Sequence, residues 1–238
     1  MGNHDYAGSV PAQTSFSTDP RWHGHVNGTL LIPEADLAIV FVDTPRACPS
    51  YMTAPYGDCN ENCAKQLANL TDGMPCTAAT SLPCWLSHMQ WLNATLQGLT
   101  QKWKFVAGHH PIDDEHMPYM LPSLNHFGVQ AYFAGHVHNL QHVAEKGSLV
   151  NFFISGAGAF GNKAELEAAR LEALGTPMGS SHTSRGLRHP EGRAWSSANW
   201  VEDGPGFLAI DLQGDMATAQ FIYHNGSVIY TSQFNATL

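Results

Sequence analysis

Two histidines spaced i, i+2 follow an apolar run at residues 129–133, in the segment Gly135-His136-Val137-His138. In an extended segment, side chains two apart point to the same side. Both imidazoles would then face one point, which Gly135 lets the backbone approach closely. Imidazole is the commonest protein ligand for zinc-, iron- and manganese-class ions, so the chemistry indicated is metal binding. With 14 histidines in 238 residues, one such pair carries little weight, and His23 and His25 form another. Repetition carries more. Gly108-His109-His110-Pro111 again sets a glycine and histidines at the end of a short apolar run, and Gly2-Asn3-His4-Asp5 opens the chain with further ligand-type side chains.

The elements that position these groups are legible from periodicity. Trp85, Met89, Leu92, Leu96 and Leu99 form a 3.6-residue stripe behind Ser81 and Pro83, which predicts a helix over residues 84–101 whose stripe is core. Short strands are expected at 30–32 and 35–42, split by Pro33, and at 104–107, 129–133, 140–143 and 149–154. A helix at 118–127 completes the order strand, ligand loop, helix, strand, ligand loop. A second, exposed helix is expected at 163–174, a surface loop at 176–199, and an antiparallel meander at 207–212, 216–224 and 227–234 that turns at Asn225-Gly226. No repeat or low-complexity linker divides the chain, so residues 1–238 are read as one domain.

Composition narrows the classes. A content of 43% hydrophobic residues supplies a core. No apolar run approaches the roughly 18 residues of a membrane span. A net charge of −9 with only 11 Lys and Arg argues against nucleic acid as a partner. Protonating the histidines would reverse the sign of the charge, which fits an acidic compartment. Five glycosylation sequons, at Asn27, Asn69, Asn93, Asn225 and Asn235, exceed what this composition gives by chance and favour a secretory route. Cys48, Cys59, Cys63, Cys76 and Cys84 lie in a Pro-, Asn- and Gly-rich stretch. That stretch reads as a disulfide-stapled loop, with Cys59 and Cys63 as zinc ligands the alternative. Met1 is followed by neither a basic nor an apolar leader region, so no signal peptide is expected there.

In their order, GNHD, VAGHH and GHVH resemble the last three of the five signature motifs of the calcineurin-like metallophosphoesterases, and in particular of the purple acid phosphatases. GNHDYAGSVPAQ, Val42-Asp43-Thr44, FAGHVHNLQ, ISGAGAF and GPGFLAIDL are similar to the small tartrate-resistant acid phosphatases across nearly the whole chain. The resemblance implies an α/β fold, a four-layer α/β/β/α sandwich with the site at strand ends. It also implies hydrolysis of small phosphate monoesters by a hydroxide activated on a dinuclear metal centre of Fe(III) and a divalent Fe, Zn or Mn ion. Asn3, His109 and His136 would bind the divalent metal and His138 the ferric one. His4 would bind the phosphate and act as general acid, and His116 lies in the loop where the family often carries another substrate-facing histidine. Asp5 would orient these groups from behind. His110 stands where the family has a tyrosine-like residue and is read as structural. His88, His126 and His142 are read as surface or partly buried histidines, and Asp113 to Glu115 as a solvated loop. A secreted or lysosomal/vacuolar location follows from the same likeness, the sequons and the cysteines.

The first two family motifs, DxG and GDxxY, are not found in this sequence. They supply the bridging aspartate, a second aspartate and the iron-bound tyrosine. The ligand count then leaves one metal with three protein ligands and the other with His138 alone, so at most one metal is expected in this chain. The fold is correspondingly expected to be N-terminally incomplete. Three readings follow: a truncated acid phosphatase inactive alone, a non-catalytic glycoprotein or binding module derived from one, or a metallophosphoesterase acting on phosphodiesters or nucleotides.

Overall fold

The structure is a computed structural model that describes residues 1–15, 25–47, 61–69, 76–77, 79–112, 117–144, 147–158, 198–202 and 204–236. The expected helix at 163–174, His116 and the acidic triplet 113–115 lie outside them, as does nearly all of the expected loop at 176–199.

In chain order the elements are helices α1 (Asn3–Ala7) and α2 (Val10–Thr14), and strands β1 (Gly28–Ile32) and β2 (Leu37–Phe41). Helices α3 (Glu61–Ala68) and α4 (Ser81–Gly98) follow, then β3 (Trp103–Ala107), α5 (Met120–His126), β4 (Ala131–Ala134), β5 (Leu140–Ala144), β6 (Asn151–Ser155) and β7 (Ala198–Glu202). The chain closes with β8 (Gly206–Gln213), β9 (Met216–Tyr223) and β10 (Val228–Asn235). Seven strands form one sheet in the order β1-β2-β3-β4-β6-β5-β7, and β10-β9-β8 form a second, antiparallel one. β2, β3, β4 and β6 run parallel, so the loops after all four leave from one edge of the sheet.

Alternation along these strands builds two cores. Val40, Val106, Tyr132, Phe152 and Ile154 face a helical layer that includes Trp85, Met89, Leu92 and Leu96. Leu37, Phe105, Ala131 and Phe153 face Ala217, Ala219 and Phe221 of the second sheet. The fold is thus mixed α/β, with helix, sheet and sheet layers among the described residues. The predicted stripe of α4 is the buried one, with Trp85, Met89, Leu92 and Leu96 all in the core. The helix, expected over 84–101, begins at Ser81 behind Thr80 as N-cap and ends at Gly98.

Three expectations are corrected, and the expected disulfide stapling is seen at one pair among the described residues. The cysteine-rich stretch is not all loop, because α3 lies within it and buries Cys63 and Leu67. Cys76 and Cys84 form a disulfide at the start of α4. β7 begins inside the expected loop at 176–199. His88 and His142 are buried, at 3% exposure each, and bonded rather than superficial.

His142 lies between the sheets. Its ring stacks on Phe153 at 4.5 Å, its Nδ1 pairs with the Tyr230 hydroxyl at 2.8 Å, and its Nε2 pairs with Asn151 Oδ1 at 3.3 Å. Asn151 Oδ1 only accepts, so Nε2 carries the proton and Nδ1 accepts from Tyr230. Burial lowers the His142 pKa below 6.5, against the opposing pull of Asn151. A folded-state value below the unfolded one gives stability that is complete above pH 6.5 and is lost as pH falls through the folded value. Replacing His142 with phenylalanine is therefore expected to flatten the fall in melting temperature of the metal-free chain between pH 7 and pH 5. Parallel melting curves for the two proteins would contradict this.

Candidate metal centre

Backbone hydrogen bonds continue the sheet past the strand ends and hold the loops in register. Val42 N–H donates to Ala107 O at 2.9 Å, Gly108 N–H to Phe133 O at 2.9 Å and Gly135 N–H to His109 O at 3.0 Å. The loop after β3 is thereby fixed against the loop after β4, and their histidines meet. His136 Nδ1 lies 3.2 Å from His109 Nε2. The His110 ring centroid lies 4.4 Å from that of His136 and 4.9 Å from that of His109. One ligand atom from each of His109, His110 and His136 falls within 4.8 Å of the others. Among the described residues no carboxylate joins this group.

His136 adopts φ 36°, a left-handed conformation that costs of order 1–3 kcal/mol for a non-glycine residue and recurs at functional sites. Residues 136–139 are bends and residue 135 is irregular, so none of them is strand. The strand rule that would put His136 and His138 on one side therefore does not apply there. The three-histidine group takes His136 and not His138, which is half-buried in the same loop.

The GNHD segment arrives from a different direction than a strand end. Gly2 caps the short helix α1, and its N–H donates to Asp5 Oδ2 at 2.8 Å. A Cβ on Gly2 would lie 2.9 Å from His109 Nδ1, so only glycine fits against that ring. Gln66 of α3 ties the segment down, with Oε1 accepting from Val10 N–H at 2.9 Å and Nε2 donating to Gly8 O at 3.1 Å. Tyr6 OH donates to Asp43 Oδ2 at 2.5 Å across the end of β2. His4 is exposed and Asp5 half-buried. Both act electrostatically on His109, whose pKa falls to about 4, first through burial and then through His136, with Asp5 opposing. His109 is therefore a neutral imidazole at ordinary pH, which is the form that binds metal.

His110, read from the sequence as structural, joins the histidine group. It is 4% exposed and held at three atoms. Its N–H donates to Thr44 Oγ1 at 3.0 Å, its carbonyl accepts from Tyr132 OH at 2.6 Å, and its Nδ1 lies 2.9 Å from Thr44 Oγ1. The available signal was a second imidazole in GHHP where the family carries a tyrosine-like residue. Only the fold brings its ring to His136.

The donor set fits one metal ion. Among the described residues no bridging carboxylate joins it, so these three side chains alone do not make a dinuclear centre.

No protein-family profile matches the chain. Mouse tartrate-resistant acid phosphatase type 5 is 31% identical over 173 residues, which cover 67% of this chain and 47% of that protein. Purple acid phosphatase 17 of Arabidopsis thaliana is 30% identical over 171 residues, 67% of this chain and 46% of that protein. The chain spans about half the length of the curated relatives it matches. Among solved structures, GAP50, the anchor in the inner membrane complex of Plasmodium, superposes with a TM-score of 0.59 at 16% identity, covering 100% of this chain and 65% of that one. Purple acid phosphatase PPD1 from yellow lupin seeds superposes with a TM-score of 0.51 at 12% identity, over 95% of this chain and 35% of that one. With the motifs in order around one site and these relatives in sequence and fold, the chain belongs to the tartrate-resistant and purple acid phosphatases, within the calcineurin-like metallophosphoesterases.

Proposed function

We propose that the protein is an acid phosphatase-like metallophosphoesterase acting on small phosphate monoesters. The observation that carries this reading is the convergence of the three motifs, with His109 Nε2 against His136 Nδ1 at 3.2 Å and Gly2 packed on the His109 ring. Asn3, His109 and His136 would hold a divalent ion, with His138 belonging to the ferric site of a complete centre. Bound metal would neutralise phosphate charge and lower the pKa of a coordinated water. His4 is exposed beside His109, where it can donate a hydrogen bond to a phosphate oxygen and a proton to the leaving alkoxide. Asp5, bonded to the Gly2 N–H, would fix the turn that aims His4. His116 is a further substrate-facing candidate.

Dinuclear hydrolysis needs carboxylate ligands that the group does not contain, so this chain alone is expected to be inactive. A secreted or lysosomal/vacuolar glycoprotein is supported by exposed sequons at Asn69, Asn225 and Asn235 and by the Cys76–Cys84 disulfide. A non-catalytic binding role is the second reading, favoured by the same lack of carboxylates.

The test is hydrolysis of p-nitrophenyl phosphate at acidic pH with iron, zinc or manganese added. No turnover by this chain is expected. In a form that supplies the missing carboxylates, turnover should appear and fall about 10²- to 10⁴-fold on His4→Ala. Failure of that completed form to turn over would leave the binding role, and wild-type rates in the variant would remove His4 from the mechanism.

A further inference from the structure

We propose that His109, His110 and His136 form a mononuclear three-imidazole site that takes one borderline-soft divalent ion, zinc or cobalt(II), with His110 as a true ligand. The proposal rests on the metal half of the phosphoesterase reading and is independent of its hydrolytic half.

Ligand spacing supports it. With metal–nitrogen bonds of about 2.0–2.1 Å, tetrahedral geometry sets neighbouring nitrogens about 3.3–3.4 Å apart. His136 Nδ1 and His109 Nε2 stand at 3.2 Å, and one ring nitrogen from each of the three histidines lies within 4.8 Å of the others. An inward movement of the His110 ring would complete three corners of a tetrahedron. The fourth corner is left to Asn3, already proposed for this ion, or to water or phosphate.

His110 is also built as a ligand is built. Metal-bound imidazoles donate their second ring N–H to a fixed acceptor, which selects the tautomer. Thr44 Oγ1 has two lone pairs. It takes the His110 backbone N–H at 3.0 Å and lies 2.9 Å from Nδ1, so an Nδ1–H can donate to it and leave the Nε2 lone pair for the ion. Tyr132 OH pins the His110 carbonyl from the other side. The strained φ of 36° at His136 aims the third ring.

The donor chemistry chooses the metal. Among the described residues the group holds three imidazoles and no carboxylate, a donor set that disfavours magnesium, calcium and ferric iron and suits zinc, cobalt and copper. The dinuclear iron centre implied by the family is therefore not the site these three residues make.

The test uses the full chain, stripped of metal and titrated with cobalt(II) and zinc. Calorimetry should give one ion per chain, and magnesium should not compete. Proton NMR of the cobalt(II) chain should show three hyperfine-shifted, exchangeable imidazole N–H resonances, one for each bound ring. His110→Tyr should leave two and weaken cobalt(II) binding roughly 100-fold or more, as expected for loss of a ligand. Two resonances in the wild-type chain would overturn the proposal even if no His110 variant folds, as would a folded His110→Tyr chain of unchanged affinity. Because turnover is not read, an inactive chain with three resonances would sustain this site while removing the hydrolytic reading.

Discussion

Arg46→Ala is expected to destabilise the protein by about 3–5 kcal/mol, the range for stripping one partner from a buried ion pair. Arg46 Nε donates to Asp43 Oδ2 at 2.7 Å, and the two residues are 4% and 0% exposed. The same Oδ2 accepts from Tyr6 OH, and the Asp43 N–H donates to His88 Nε2 at 3.0 Å. Asp43 therefore joins the GNHD segment, the end of β2 and helix α4. Its Oδ1 is buried with no hydrogen-bond partner among the described residues, so the carboxylate already lacks part of its solvation.

Burial raises the Asp43 pKa above 3.8, opposed by the chain's N-terminal amine, Arg46 and Tyr6. Removing Arg46 deletes one opposing cause and raises it further. A raised folded-state pKa means that stability is complete below pH 3.8 and is lost as pH rises through the folded value. The Arg46→Ala defect should accordingly be larger at pH 7 than at pH 4. At about 2–4 °C of melting temperature per kcal/mol for a domain of this size, calorimetry at the two pH values reads the effect directly. A loss below 1 kcal/mol, or one that shrinks as pH rises, would contradict the account of this pair.

Gly156→Ala is expected to damage the metal centre from behind. Gly156 N–H donates to Asn139 O at 3.0 Å, which seats the turn after β6 under the loop after β4. A Cβ at Gly156 would collide with Val137 O and lie 2.9 Å from Gly135 O. These are backbone atoms of the GHVH loop, so no side chain can swing away and the loop itself must move. Overpacking of this kind costs about 1–3 kcal/mol. Displacing His136 should also reduce zinc affinity by roughly 10- to 100-fold, the range for disturbed outer-shell support. Calorimetric titration with zinc checks this. A variant with wild-type zinc affinity would show that the 156–158 turn does not hold the site.

Most of the scaffold was legible because its signals are local. The stripe from Trp85 to Leu96 marks α4, Pro33 marks the break between β1 and β2, and Asn225-Gly226 marks the last hairpin. The helix α3 was not legible, because Pro, Asn and Cys around it signal loop while its burial of Cys63 and Leu67 depends on the N-terminal segment. The histidines show the same division. His109 and His136 announced themselves through glycine–histidine segments at strand ends. His110 and His142 did not, since what distinguishes them is contact with Thr44, Tyr132, Tyr230 and Phe153 from distant parts of the chain. The departure of residues 135–139 from extended geometry was also hidden. No residue type in GHVH announces a left-handed φ at His136.

Metal stoichiometry of the purified full chain, set beside His109→Ala and His136→Ala, tests the central claim most directly. One zinc or cobalt(II) per chain, lost in both variants, is the result the account predicts. Two ions per chain, or one ion retained when both histidines are replaced, would contradict it by showing that the metal sits elsewhere.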